Sequence, residues 1–505
     1  MHPVFFGILK TKRAPRWTEW ILFAILLLAV CLLPRPDIAP AKGHHGYLSS
    51  HGLTLAAHLS PEHHFLMYNR IVIDSTGTEH YEAYNRFSIV PFALIRCAMA
   101  FGGDDLLAQV AAARKLMQLF WLGAMFCAWL AFKRLGRDPF AALTIVLLSF
   151  SSHYFLYYGD MVFNDIPALF GCMLLFHGLV EHWQENRPRQ LLAKALVAVA
   201  LGWQAFAMLF PAVALLWWKN RRTKENLLLA GAPLLLGIAL LAFNLANECI
   251  ATRTPLLETS TAKSIVFRLG RAPESSYAPY ARSLDRGNFI QEQLYRVGVA
   301  SAPPAIMQTV NCVNRPLLLL AGKWIVWRNT VSHGILALAL VVLVIVLRRK
   351  EWFPPLCLLA LAFCWTLPMR HFTAFHDFQA IFLVGIPLIL FDALLRIVPS
   401  RSKSLPLLAL GALISLSAAA IGSYDAKLAE QEDAHLRLVA LQTIANSLRA
   451  EEHPVIHVDA EAFTTIGGAR HTLGFALPKA RFTDDQRQAQ WHLSDNPLRI
   501  EQIVQ

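Results

Sequence analysis

Long apolar runs recur along the whole chain, and no other feature limits the folds it can adopt as strongly. The first extends from Trp17 to Leu33, and a later one centres on residues 333–347. With its flanks, each run is close to the roughly 20 residues with which a helix crosses about 30 Å of hydrocarbon. Only 16% of the 505 residues are charged, against roughly 25% in a soluble protein. These runs predict a polytopic helical membrane protein.

The net charge of +12 is concentrated in short basic clusters at the ends of the apolar runs. The positive-inside rule places such clusters in cytoplasmic loops, so they indicate a lipid bilayer as partner and no nucleic acid. No small-residue cleavage site follows Leu33, so we expect the first run to remain as a membrane span with a cytoplasmic N-terminus. The clusters lie at residues 10–16, 133–137, 219–224 and 348–350.

Alternating crossings from this starting point predict about eleven spans. The stretch 191–218 has basic clusters on both sides, so we predict a hairpin of two half-helices that meet near "LGWQAF". Long outer loops are predicted at 35–87 and 247–329. Cys249 and Cys312 share the second of these loops and are therefore candidates for a disulfide.

The segment after the last apolar run differs in pattern from the rest. Residues 425–450 have helical periodicity, "HPVIHVDAEAF" is typical of a strand and its exit, and "HTLGFALP" of another strand. The predicted fold class is therefore an all-α polytopic membrane bundle, residues 1–422, with a small extracytoplasmic α/β unit, residues 423–505. This topology fits an inner-membrane protein whose C-terminus lies outside the cytoplasm.

Ionisable side chains gather in three predicted outer turns. The arginine guanidinium has a fork of donors that suits phosphate, and a carboxylate or imidazole can remove a proton from a hydroxyl. Together they predict a pocket at the outer membrane surface for an anionic, lipid-linked substrate. The residues are Asp37, His44, His45, His51, Glu79, Tyr81, Tyr84 and Arg86 in the first loop; Asp160 and Asp165 in "YYGDMVFND"; and Arg370, His371, His376 and Asp377 in "PMRHFTAFHDF".

Each of these signals also has a structural interpretation. Six of the nineteen histidines lie between residues 44 and 64, where they fit a solvated loop. Asp165 fits the N-cap of a helix. Arg86 fits a long side chain that extends to the headgroup phosphates of the membrane. The segment "RHFTAFHDF" fits a belt of aromatic residues at the membrane interface. Adjacent histidine pairs without cysteine do not favour a zinc site. We therefore predict no metal and no cofactor, with a divalent ion at Asp160 and Asp165 as an open alternative.

The order of these features resembles that of the GT-C type membrane glycosyltransferases, including the protein O-mannosyltransferase and aminoarabinose-transferase relatives. The resemblance covers most of residues 15–425. It implies a long outer loop with the catalytic acid, an interfacial helix, a second acidic outer turn, a short hairpin and further spans. The matching segments are "HHGYLSSHGLTLA", "YEAYNRFSIVPFALI", "YYGDMVFNDIPALF", "LGWQAFAMLFPAVALLWW" and "MRHFTAFHDFQAIFLVGIPLIL".

The resemblance implies transfer of a sugar from a polyprenyl-phosphate donor to a hydroxyl of a glycan, lipid or protein. Arg86 and Arg370 would bind the donor phosphate, with Tyr84, His371 and His376 beside them. Family members usually have carboxylates where this chain has His44 and His45. The identity of the base therefore stays open among His45, Asp37, Asp160 and Asp165.

Two other functional classes remain as alternatives. A secondary transporter would have ionisable groups at mid-membrane and an internal repeat, whereas the groups here gather at one predicted surface and no repeat is visible. A non-catalytic scaffold for envelope assembly would tolerate loss of the outer polar residues. The sequence contains no Walker loop, GxSxG, HExxH or nucleotide fingerprint, so an ATP-driven pump is unsupported.

Overall fold

The computed structural model describes residues 43–151, 153–220, 224–268, 352–366, 377–396, 404–458, 469–495 and 498–503. This part of the chain is mainly helical and includes one six-stranded sheet. The spans predicted within residues 1–42 and 269–351 lie outside the described residues, as does Cys312 of the candidate disulfide. The helices are α1 (Gly43–His58), α2 (Ile89–Ala100), α3 (Leu106–Arg134), α4 (Pro139–Ser149), α5 (His153–Tyr158), α6 (Asp165–Glu185), α7 (Pro188–Leu201), α8 (Ala205–Asn220), α9 (Lys224–Thr252), α10 (Ser260–Arg268), α11 (Phe353–Thr366), α12 (Gly385–Leu395), α13 (Ser404–Ser447) and α14 (Ala469–Ala476).

Three of the described helices are long and apolar enough to cross a membrane, namely α3, α6 and residues 227–252 of α9. The apolar stretch of α6 is 83% buried against its neighbours, whereas that of α9 is only 22% buried. Helix α6 is therefore central in the bundle, and α9 presents an apolar surface suited to lipid. These helices support the predicted integral membrane protein, and the number of about eleven crossings stays a prediction.

The predicted break near "LGWQAF" is confirmed. Helix α7 ends at Leu201 and α8 begins at Ala205, with Gly202 and Gln204 in the turn between them. A side chain at Gly202 would clash with Ala168 of α6, so the absence of a Cβ lets this turn pack closely on the central helix. The sides of the membrane that the ends of α7 and α8 face stay a prediction.

The sheet has the strand order β2-β1-β4-β3-β5-β6. Strands β1 and β2 form an antiparallel hairpin, β4 lies parallel between β1 and β3, and β6 closes the other side antiparallel to β5. A two-stranded hairpin alone is marginally stable in water, and pairing of β1 with β4 removes this weakness. The strands are β1 (Tyr68–Ile73), β2 (Glu79–Ala83), β3 (Val455–Val458), β4 (Arg481–Thr483), β5 (Trp491–Asp495) and β6 (Leu498–Gln502).

This sheet combines two parts of the chain that the sequence pattern predicts to be separate units. Its hairpin comes from the first predicted outer loop, and its other four strands come from the C-terminal segment. Helix α13 also runs through the predicted boundary at residues 422 and 423 without a break. The sheet packs against α1, α14 and α13, and this part of the molecule is called the sheet end below.

One predicted strand is wrong. The segment "HTLGFALP" forms most of helix α14, which packs against α1 and β1. Gly474 allows this contact, because a side chain there would clash with the carbonyl oxygen of Asn69. A short run of consecutive apolar residues fits a buried helix as well as a strand, so its periodicity does not distinguish them. The strand predicted within "HPVIHVDAEAF" is confirmed as β3.

Candidate active site

The carboxylate of Asp165 joins four segments of the chain. Asp165 is the first residue of α6 and is only 1% exposed. Its Oδ1 atom accepts hydrogen bonds from Nε2 of Gln379 at 2.7 Å and from Nε2 of Gln204 at 3.2 Å. Gln379 in turn accepts a hydrogen bond from the indole N–H of Trp365 at 2.9 Å. Asn164 occupies the N-cap position, so the interpretation of Asp165 as the N-cap is wrong.

Asp160 lies in the same turn but has a different environment. It is fully buried and pairs with the guanidinium of Arg114, which is also fully buried in α3. Removing one partner of a buried ion pair leaves an uncompensated charge, with a penalty of roughly 3–5 kcal/mol. The pair therefore anchors the turn before α6 to the neighbouring helix α3.

The first predicted outer loop packs directly on this turn. Ser49 Oγ of α1 accepts a hydrogen bond from the backbone N–H of Val162 at 3.2 Å. Gly52 lies so close to the Val162 carbonyl that a Cβ there would clash. The ring of His51, which is fully buried, lies 4.0 Å from the ring of Tyr84 between centroids. The predicted convergence of the first two outer turns is thus present in the structure.

Arg86 is placed by contacts on both sides of its guanidinium. The guanidinium carbon lies 3.7 Å from the centroid of the Tyr84 ring, and Nη1 donates to Ser264 Oγ of α10 at 3.2 Å. The guanidinium keeps its positive charge here, and its buried Nε is a hydrogen-bond donor without an acceptor in the described part of the chain.

A pair of buried asparagines fixes the backbone on either side of Arg86. Asn244 of α9 donates from Nδ2 to the carbonyl oxygens of Asn85, at 3.2 Å, and of Phe87. Asn85 donates from its own Nδ2 to the carbonyl oxygen of Asn244. Nothing in the sequence connects these two asparagines, which are 159 residues apart, so neither is predicted as a site residue.

The histidine-rich segment is helical, and most of its described imidazoles are packed, so the solvated-loop interpretation is wrong for them. His58 stacks on Tyr68 at 4.2 Å, and its Nδ1 lies 2.8 Å from the Tyr68 carbonyl oxygen. Burial lowers the pKa of His58 to about 4, and burial also lowers the pKa of His63. Both therefore stay neutral at pH 7, and among the imidazoles that the structure describes in this segment only His64 is exposed.

The remaining predicted site residues are not tested by this geometry. His45 lies in the first turn of α1, but its side chain is outside the described part. Asp37, Arg370, His371 and His376 also lie outside the described residues. Over the ranges that the structure describes, no group of three or more His, Cys, Asp or Glu side chains is placed to hold a metal ion.

Gln204 and Gln379, which hold Asp165, were not predicted as site residues. One signal was available for Gln204, the only polar side chain between residues 195 and 218. A polar side chain within an apolar run usually faces the interior of a bundle. Gln379 directly follows the third predicted outer turn "PMRHFTAFHDF", so the chain just after that turn contacts Asp165.

Solved structures with a similar overall course of the chain include ArnT from Cupriavidus metallidurans bound to undecaprenyl phosphate. That structure aligns over 94% of this chain and 87% of its own, with 12% identity and a TM-score of 0.50. The chain has the fold of the GT-C glycosyltransferases. The GT-C fold expected from the sequence is thereby confirmed.

Two further structures align with lower scores. ArnT of the same organism in the apo state has 14% identity and a TM-score of 0.48, over 93% of this chain and 86% of its own. The Archaeoglobus fulgidus oligosaccharyltransferase tethered with an acceptor peptide has 12% identity and a TM-score of 0.47, over 96% of this chain and 66% of its own. No protein-family model matches the sequence, and no curated protein matches it.

Proposed function

We propose that this chain transfers a sugar from a polyprenyl-phosphate donor to an acceptor hydroxyl at the sheet end of its membrane bundle. The observation that carries the proposal is the convergence of α1, Tyr84 and Arg86, and the turn before α6 in a chain with the GT-C fold. The structure with the TM-score of 0.50 is an ArnT bound to undecaprenyl phosphate. A glycan, lipid or protein acceptor, and an inner-membrane location with the sheet end outside the cytoplasm, belong to the same proposal.

Arg86 is proposed to bind the donor phosphate. Its stacking on Tyr84 and its bond to Ser264 restrict the guanidinium, and its buried Nε has no acceptor within the described residues. When the acceptor oxygen attacks the anomeric carbon, the bond from that carbon to the phosphate oxygen breaks and negative charge grows on the phosphate. A preorganised guanidinium stabilises that charge more in the transition state than in the ground state.

Arg370, His371 and His376 are proposed as further phosphate-binding residues. They precede Gln379, whose amide is held on the Asp165 carboxylate. This anchor restricts the chain a few residues after them. No cofactor is needed for the proposed displacement, because the phosphate leaves with the bonding electrons and the acceptor proton passes to a base.

His45 is the proposed base. It lies six residues before His51 on α1, a distance of about 9 Å along the helix axis. His51 contacts Tyr84, so α1 leads from the Arg86 region toward His45. Asp37 and Asp165 remain the alternative bases. Asp160 is the weakest candidate because its carboxylate is paired with Arg114.

The decisive experiment measures release of polyprenyl phosphate by the purified full-length chain in lipid nanodiscs. Synthetic polyprenyl-phosphate hexoses, pentoses and aminopentoses serve as donors, with a mixed membrane extract as the acceptor source. We expect release with at least one donor and its loss in Arg86→Ala, with Arg487→Ala, in the turn between β4 and β5, as a charge-matched control. If no donor is cleaved although the protein is folded, the transporter and scaffold alternatives take precedence.

A reporter fusion tests the proposed orientation separately. A reporter after Ser423 should be extracytoplasmic, and one near Asn220 cytoplasmic. An external reporter near Asn220 would overturn the arrangement of α7 and α8 as a hairpin that returns to the cytoplasm.

A further inference from the structure

A cavity of about 460 Å³ at the sheet end has no role in the proposed transfer. Its walls come from α2, the start of α3, the end of α13 and the segment after α14. None of its lining residues is among those that surround Asp165, Tyr84 and Arg86. The cavity is therefore a separate site.

The position of the walls places the cavity at the level of lipid headgroups. Leu106 lines it and is also the first residue of α3, which is long and apolar enough to cross a membrane. Helix α2 is apolar but has only 12 residues, too few to span the bilayer. Phe101, directly after α2, is 90% exposed. An exposed large apolar side chain beside the start of a span is typical of a segment in the membrane interface.

The charges of the cavity leave a positive excess. Three basic side chains line it against two carboxylates: Asp104 pairs with Arg449 at 2.9 Å, whereas Glu451 accepts a hydrogen bond from an indole N–H and keeps its negative charge, so the net charge is +1. Arg96 donates to main-chain carbonyl oxygens at the end of α1, which do not neutralise its charge. Lys479, which is exposed at the rim, supplies a second cation.

The floor of the same cavity is apolar. Met99, Leu106, Leu448 and Phe475 line it, and each of these side chains is at most 6% exposed. A cavity with a cationic rim and an apolar floor matches a molecule that has an anionic end and a hydrocarbon end. A small soluble anion would leave the apolar floor without a partner.

We propose that this cavity binds the anionic head group of a lipid from the membrane leaflet on the sheet side. Arg96 and Lys479 contact the phosphate or carboxylate of the head group, and Met99 and Leu106 contact the first carbons of the lipid chains. The site is independent of the proposed transfer, because it shares no lining residue with the Asp165 region and needs no reaction.

The test uses the full-length chain in detergent and native mass spectrometry with short-chain phosphatidylglycerol, phosphatidylcholine of the same chain length, and inorganic phosphate. We expect phosphatidylglycerol to bind at least tenfold more tightly than phosphatidylcholine. Lys479→Glu should weaken phosphatidylglycerol binding about fivefold, as reversal of one exposed charge allows. Ala445→Phe should abolish it, because Ala445 lines the cavity and the larger ring fills it.

Arg487→Glu is the matched control, since it reverses one exposed charge, in the turn between β4 and β5, that does not line the cavity. Equal weakening by Arg487→Glu and Lys479→Glu would show binding by overall charge and overturn the site. Equal binding of phosphatidylcholine would remove the anionic requirement. If inorganic phosphate competed as strongly as the lipid, the ligand would be a soluble anion instead. Because the readout is binding, each outcome stands whether or not the chain transfers a sugar.

Discussion

The amide of Gln379 donates to the carboxylate of Asp165 at 2.7 Å across a separation of 214 residues. Gln204 donates to the same oxygen from the turn between α7 and α8. These two hydrogen bonds fix three segments relative to one another. The segments are the start of the central helix α6, the turn at 202–204 and the helical turn that follows the third predicted outer turn.

Replacement of Gln379 by Leu should destabilise the protein. A buried hydrogen bond to a charged group contributes about 1.5–3 kcal/mol, and Leu provides no donor. Thermal unfolding in detergent should show a lower Tm than the wild type. Gln184→Leu is the control, because its hydrogen bond to the Arg134 carbonyl oxygen is exposed. A Tm loss that is no larger for Gln379→Leu than for Gln184→Leu would contradict the anchoring role.

Substitutions of Arg86 should act on donor binding. We expect Arg86→Ala to lower kcat/KM for the donor about tenfold or more, from loss of a charge-assisted hydrogen bond. Arg86→Lys should recover only part of this loss, because lysine lacks the planar fork. Steady-state kinetics with a donor titration separates KM from kcat. An unchanged kcat/KM for the donor in Arg86→Ala would remove this residue from the phosphate site.

The buried pair of Arg114 and Asp160 should show strong coupling. Arg114→Met and Asp160→Leu should each destabilise the fold by roughly 3–5 kcal/mol, because each leaves one buried charge alone. The double variant should recover most of that loss, since no unpaired charge remains. A double-mutant cycle of unfolding free energies measures the coupling. Additive losses would mean that the two charges do not stabilise each other.

The proposed base is tested at His45. We predict that His45→Ala lowers turnover by roughly a hundredfold or more at unchanged expression, as expected for loss of a general base. His63→Ala and His64→Ala should change turnover little. Asp37→Asn and Asp165→Asn distinguish the alternatives. Should Asp37→Asn abolish turnover while His45→Ala leaves it intact, the carboxylate is the base.

Acidification should destabilise the sheet end through His58. Its pKa is about 4 in the folded protein and 6.5 in the unfolded chain, so the unfolded state binds more protons between these values. The contribution of the neutral imidazole is therefore fully present above pH 6.5 and is lost as pH falls toward 4. We expect the fall in Tm between pH 7 and pH 5 to be smaller in His58→Gln than in the wild type. Equal falls would exclude His58 as a source of the pH dependence.

Several features of the fold could be predicted because they depend on local pattern. The break at residues 202–204 follows from basic clusters on both sides of one apolar stretch, and β3 follows from the alternation of "VIHV". The pairing of β1 with β4 could not be predicted, because Ile71 and Arg481 are distant in the chain and no local signal connects them. The same reason hides the bond between Gln379 and Asp165.

Burial explains why the solvated-loop interpretation of the histidines is wrong. A histidine in a polar stretch of sequence fits a solvated loop, yet His51 and His58 pack on Tyr84 and Tyr68 in the folded chain. Tyr68 is in β1 and Tyr84 directly follows β2, both later in the chain than these histidines. Only the tertiary fold therefore reveals the contacts. Asp160 and Asp165 are predicted together as site residues because they share one turn. In the structure their environments differ: Asp160 forms an ion pair with Arg114, whereas Asp165 accepts a hydrogen bond from the amide of Gln379.

The shared sheet has a consequence for biosynthesis. Ribosomes complete the N-terminal hairpin long before they reach β4, which pairs with it at Ile71 and Arg481. At 5–20 residues per second, the intervening roughly 400 residues require about 20–80 s. During that interval the edge of β1 that later pairs with β4 has no partner strand, so it can pair with a wrong strand. The sheet can therefore be completed only after the last strands have been translated.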